Sequence, residues 1–203
     1  MRKLLSVIVV MFLVTGCVKN DRSMDAETVV TVKPVELFTG DTAKFKSFLG
    51  TMSGAFKLRY KGEKPNASLD LEVWQKGNAV EPAGSIGDLF FHSDGKENDE
   101  VEVIIAIEDD AVGKQMRIKL GTVYGSGSSV GTFTIPMETT KMIRGLLYDR
   151  ETRSFTVEGD AVIPVWAMYG TSSNEIRASD LSLDALKEQE WALVVLFRSN
   201  DRP

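Results

Sequence analysis

The chain has 203 residues, 43% of them hydrophobic, with one histidine, one cysteine and a net charge of −5. That length suits one domain with a real core, or at most two small ones. The lone cysteine excludes an internal disulfide, and the acidic balance argues against nucleic acid or a bare anionic membrane as partners, since both repel it.

The first residues fall into three zones. Met1-Arg2-Lys3 is short and basic, Leu4–Val14 is an 11-residue and almost wholly apolar run, and Thr15-Gly16 places small residues before Cys17. That order predicts a secretory signal peptide. The apolar run is too short for a membrane-spanning helix, which needs roughly 20 such residues. Lys19, Asp21 and Arg22 follow at once.

Val14-Thr15-Gly16-Cys17 resembles the lipobox of bacterial lipoproteins. The resemblance covers residues 1–17 only. It implies a signal peptide over 1–16, recognition of Val14, Thr15 and Gly16 by a dedicated peptidase, and a diacylglycerol on the Cys17 thiol. It places the protein on the extracytoplasmic side of a cell membrane, held by that lipid. Val18 after the cysteine, instead of an aspartate, would resemble an outer-membrane destination if the source has two membranes. Two or more acyl chains anchor stably where one does so only marginally. Cleavage would remove 16 residues, Arg2 and Lys3 among them, and take the net charge from −5 to −7.

Residues 17–28 are the lipidated cysteine and a polar, aperiodic stretch that reads as a flexible tether. Residues 29–203 then form one β-rich domain dominated by period-2 alternation. Ala55–Lys61 sets Phe56, Leu58 and Tyr60 against Lys57, Arg59 and Lys61, and Leu69–Val73 alternates with Asp70 and Glu72. These two stretches suit an antiparallel pair with cations beside anions. Further strands are expected at Gly87–His92, Val101–Ile107, Met116–Tyr124, Thr132–Met137, Ser154–Val157, Val162–Tyr169 and Trp191–Arg198. Val101–Ile107 and Trp191–Phe197 have the apolar character of strands covered on both faces. Short helices are expected over Asp41–Leu49, Thr139–Leu147 and Ser182–Glu188, the last capped by Ser182 or Asp180 with Asp184 in its first turn. Eight or nine strands with one to three short helices predict an all-β antiparallel sandwich, jelly-roll or immunoglobulin-like, with an eight-stranded barrel as the alternative.

Few residues carry chemistry. Gly127-Ser128-Ser129-Val130-Gly131 matches G-x-S-x-G, but a strand-like run follows it and the only histidine lies upstream, so it reads as a hairpin loop over Gly125–Gly131. That loop lacks the lysine of a phosphate-binding Walker motif. His92 alone cannot build a zinc site with a lipidated Cys17, although Asp94 beside it could orient it as a base. Asp94–Glu100 with Glu108-Asp109-Asp110 is the densest acidic region, yet its spacing does not match a calcium loop. Among the aromatic residues in strand-like runs, Trp74 shares a face with Asp70 and Glu72 and is the best candidate for exposure. Trp74, His92 and Asp94 are therefore the candidate ligand-binding residues, with no catalytic or metal-binding set and no cofactor. The expectation is a non-enzymatic envelope domain that binds a protein or small ligand. The alternative is a carboxylate-dependent envelope hydrolase, because nothing selects a pair among 29 acids.

Overall fold

A computed structural model describes residues 27–91, 100–125, 127–137, 142–173 and 180–200. Its eleven strands there form two antiparallel sheets. In chain order the strands are β1 Thr28–Val35, β2 Gly54–Lys61, β3 Ala67–Gln75, β4 Asn78–Ile86, β5 Glu100–Asp110, β6 Gln115–Tyr124, β7 Gly127–Pro136, β8 Ile143–Tyr148, β9 Arg153–Val157, β10 Ala161–Thr171 and β11 Trp191–Ser199. One sheet has the order β7-β6-β5-β2-β1-β9 and the other β4-β3-β11-β10-β8. The protein is an all-β sandwich. No strand pairing among the described residues joins the two sheets, so the barrel alternative fails.

Alternation decides which way each strand faces. Val30 and Val32, then Phe56, Leu58 and Tyr60, then Val101, Val103 and Ile105 point inward from the first sheet. Leu69, Leu71, Trp166, Met168, Leu193, Val195 and Phe197 meet them from the second. Phe155 packs edge-to-face on Phe197 with centroids 5.6 Å apart. Trp166 is fully buried because Gly54 leaves it room: a Cβ at Gly54 would lie 2.5 Å from Trp166 Nε1.

The second sheet is covered on its outer face as well. Trp74, Ala167, Tyr169, Ala192, Val194 and Leu196 form a separate cluster with Leu181 and Leu186. Those two leucines belong to the segment around a short helix, Leu183–Lys187, which we call α2. Ser182 Oγ accepts the Ala185 N–H at 3.2 Å, and Asp184 sits in the first turn, as the sequence predicts. Gly77, at the β3–β4 turn, has φ 82° and lies under α2, where a Cβ would come 2.8 Å from the Lys187 carbonyl oxygen. The double coverage explains the unbroken apolar run of β11.

Several expectations need correction. β2 and β3 do not pair with each other. β2 lies between β1 and β5, where Lys57 faces Glu102, and β3 lies between β11 and β4, where Arg198 reaches Asp70 and Glu72. Charge complementarity is satisfied, but across different neighbours. Ile143–Leu147 is strand and not helix, pairing with β10, while 138–141 lie outside the described residues. Gly87–Phe91 is a loop with a turn: Asp88 takes φ 49°, the Leu89 N–H donates to the Ala67 carbonyl at 2.9 Å, and Leu89 and Phe90 plug the core. Gly127–Gly131, read as loop, is the first half of β7.

Candidate functional site

The strands give the sandwich two distinct ends. β1 starts at Thr28 and ends at Val35, a run of about 23 Å at the usual rise per strand residue. Antiparallel pairing sets Val35 opposite Ala55, so everything between β1 and β2 sits at the far end from Thr28. The β5–β6 hairpin reaches the same far end, because β5 runs from Glu100 opposite Arg59 past Ile105 opposite Gly54.

The β1–β2 connection is a lobe. A 3-10 turn over Gly40–Phe45 runs into a single helical turn, α1, at Lys46–Leu49. Thr42 Oγ1 donates to the Thr39 carbonyl at 2.7 Å and fixes the start. Gly50 closes the end through its N–H to the Lys46 carbonyl at 3.0 Å, and Ser53 Oγ donates to the Leu49 carbonyl at 2.6 Å. The lobe is thus well ordered by hydrogen bonds, yet no side chain from Gly40 to Leu49 is buried. Phe45 is 48% exposed and Phe48 79% exposed. Three positions apart on a helical path, they lie on one side. Lys44 and Lys46 neighbour Phe45 in the chain, with Lys44 Nζ 5.5 Å from the Phe45 ring centroid. At the tip of the neighbouring hairpin, Val112 is 97% exposed.

A groove of about 620 Å³ runs beside the lobe, its lining including Glu36, Leu37, Phe38, Gly54, Tyr148 and Arg150. The buried Trp166 indole lies behind Gly54, and its N–H has no acceptor among the described residues. Next to Arg150, Asp149 approaches Arg153 at 3.0 Å from Nε but off the N–H direction. Burial raises the Asp149 carboxyl above its ordinary range, and the Arg153 charge offsets this only in part. At the opposite end, near Thr28, a second groove of about 700 Å³ is lined by polar groups including Glu63, Lys64, Asn66 and Asp88.

The sequence-derived candidates fare differently. Trp74 does lie on the outer face of β3 with Asp70 and Glu72, but the α2 segment covers it and leaves only 8% exposed. Its expected exposure is not found. His92 and Asp94 lie outside the described residues, as do Val14, Thr15, Gly16 and Cys17. Of the acidic turn, Glu108 binds Lys119 at 2.6 Å, both Asp109 carboxylate oxygens accept from Arg144 Nη1 at 2.8 Å, and Asp110 Oδ1 accepts the Gly113 N–H at 2.9 Å. Each acid there has a structural occupation, and no group of three or more metal-ligating side chains occurs among the described residues. The aromatic pair Phe45 and Phe48 was visible only as part of a short predicted helix. Its flanking Gly40 and Gly50, which confine the helix to about two turns, were the available signal that it stands off the core.

Compared with known proteins, the chain matches no family model, no curated protein and no solved structure.

Proposed function

We propose that this is a lipid-anchored protein of the bacterial cell envelope, held by diacylglycerol on Cys17, whose sandwich binds a partner protein and does no chemistry of its own. The observation that carries the reading is the exposed pair Phe45 and Phe48 on an ordered lobe at the end of the sandwich opposite Thr28. The lipobox-like start supports the anchor, and the strand polarity then sets the lobe about 23 Å beyond the point where the anchored segment meets the domain. Large exposed apolar side chains grouped on one feature mark interaction surfaces. No residue of the lobe is buried, whereas small ligands occupy concave sites that enclose them. A protein with an apolar pocket rimmed by acidic groups fits it: the two rings fill the pocket and Lys44 and Lys46 meet the rim.

The test is site-specific photo-crosslinking in intact source cells, with the probe at residue 48 or at exposed Glu158 near the opposite end. The reading predicts a discrete protein adduct from residue 48, absent from residue 158 and abolished by Phe45→Ser. Equal adducts from both positions, or none from residue 48, contradict it.

A further inference from the structure

The outer face of the first sheet carries an arrangement that packing does not explain. Lys33, Lys57, Arg59 and Lys61 all point outward from β1 and β2, because their neighbours Val32, Phe56, Leu58 and Tyr60 fill the core. Register brings them together: Lys33 stands directly opposite Lys57, Thr31 opposite Arg59, and Val29 opposite Lys61. Like charges facing each other across neighbouring strands are destabilising. Among the described residues only Lys57 is ion-paired, with Glu100 at 2.6 Å and Glu102 at 3.9 Å; Arg59 stands opposite Glu100 in the β2–β5 register but makes no ion pair with it. Lys33, Arg59 and Lys61 are exposed and form no ion pair with the described residues. The stripe extends over about 13 Å from Lys33 to Lys61 and finishes beside Val29, one residue into the domain. On its other flank β9 presents the small hydroxyls of Ser154 and Thr156. This concentration of positive charge sits in a chain of net charge −5.

We infer that this stripe lies against the anionic headgroups of the bilayer that holds the protein, so that the sandwich rests on its β1–β2 face and not upright on its tether. The inference rests on the proposed lipid anchor. The chain as a whole repels an anionic surface, so the cations act only when an anchor has already brought the face within a screening length. Cations near such a surface favour it by about fivefold each. In that pose the lobe bearing Phe45 and Phe48 points along the membrane, toward a partner that is held in the same plane.

The experiment uses the full chain extracted from membranes and reconstituted into vesicles of phosphatidylcholine alone or mixed with phosphatidylglycerol. A maleimide fluorophore is placed on Thr156→Cys beside the stripe, with Val112→Cys at the far end as the control, and headgroup-linked quenchers report contact. Quenching at residue 156 is expected in the mixed vesicles, weaker in pure phosphatidylcholine and lost at high salt, with residue 112 unaffected. Each of Lys33→Gln, Arg59→Gln and Lys61→Gln lowers the docked-to-free ratio about fivefold, and the triple variant about a hundredfold. These positions are solvent-exposed, so folding is retained, which circular dichroism checks. Quenching that ignores lipid charge, or that survives in the triple variant, overturns the stripe. A Cys17 that accepts the maleimide instead reports failure of the lipid anchor, so the two failures are read separately.

Discussion

Trp74 and Glu72, two residues apart on β3, are joined by a hydrogen bond from the indole N–H to Glu72 Oε2 at 2.8 Å. The other carboxylate oxygen accepts from Arg198 Nη2 at 2.5 Å, and Arg198 Nε approaches Asp70 at 2.7 Å. The glutamate therefore satisfies a buried donor and a half-buried cation together, at the edge of the cluster under α2. Its role is structural. Glu72→Ala, which orphans both partners, is expected to cost about 1–3 kcal/mol. Glu72→Gln keeps an acceptor for Trp74 and should cost less. Urea unfolding midpoints of the two variants check the order.

The contact of Gly54 with Trp166 makes a second prediction. Gly54→Ala sets a methyl 2.5 Å from Trp166 Nε1 and forces one of two fully packed sheets to move. Overpacking of this kind costs about 1–3 kcal/mol. Trp166→Phe removes the clashing atom, so the double variant should be more stable than the two single losses added together. A double-mutant cycle by chemical denaturation measures this.

The aromatic lobe makes the reverse prediction. Phe48→Ser should leave stability within about 0.5 kcal/mol of the parent, because an exposed side chain takes nothing from the core when it goes. Phe197→Ala, from the inner layer, should cost about 3–5 kcal/mol. Loss of the residue-48 crosslink in Phe45→Ser without a change in melting temperature would separate a binding role from a folding one.

Two carboxylates bend the pH dependence in opposite directions. The pKa of Asp149 is raised by burial, so between the ordinary aspartate range and that raised value the folded protein holds a proton that the unfolded chain has released. Its contribution to stability therefore falls as pH rises through that window, and Asp149→Asn should flatten the fall. Glu190 is lowered by hydrogen bonds from the Ser172 N–H at 2.8 Å and the Ser172 hydroxyl at 2.9 Å. Its contribution is present above the ordinary glutamate range and is lost as pH drops through the lowered value, a loss that Glu190→Gln removes. Unfolding midpoints across the acid range, taken as differences from the parent, test both signs.

How much of this was legible in the sequence depends on what each element packs against. β2, β3, β5 and β11 declare themselves because burial on one or both faces fixes their alternation, and α2 declares itself through Ser182. β4 was not visible: Asn78–Ile86 carries Pro82 and Gly84 and lies at a sheet edge, where nothing demands an apolar face. β8 mimicked a helix because Ile143, Leu146 and Leu147 fall at helical spacing, and only pairing with β10 makes it strand. The pairing of β2 with β3 failed for a different reason. Their opposite charges do seek partners, but Lys57 finds Glu100 and Arg198 finds Asp70 in two separate sheets. Alternation puts Trp74 on the correct face, and its packing in one cluster with Leu186 is a long-range arrangement that no local pattern encodes. The exposure of Phe45 and Phe48 is likewise a property of what fails to pack on them.

The claim on which the functional account stands is that one end of this sandwich is tied to a membrane. Intact-mass analysis of the protein purified from its native membrane examines that claim directly. The account predicts a polypeptide that starts at residue 17 and is heavier than its sequence by a diacylglycerol joined through sulfur. A full-length polypeptide with a free thiol at that residue would contradict it.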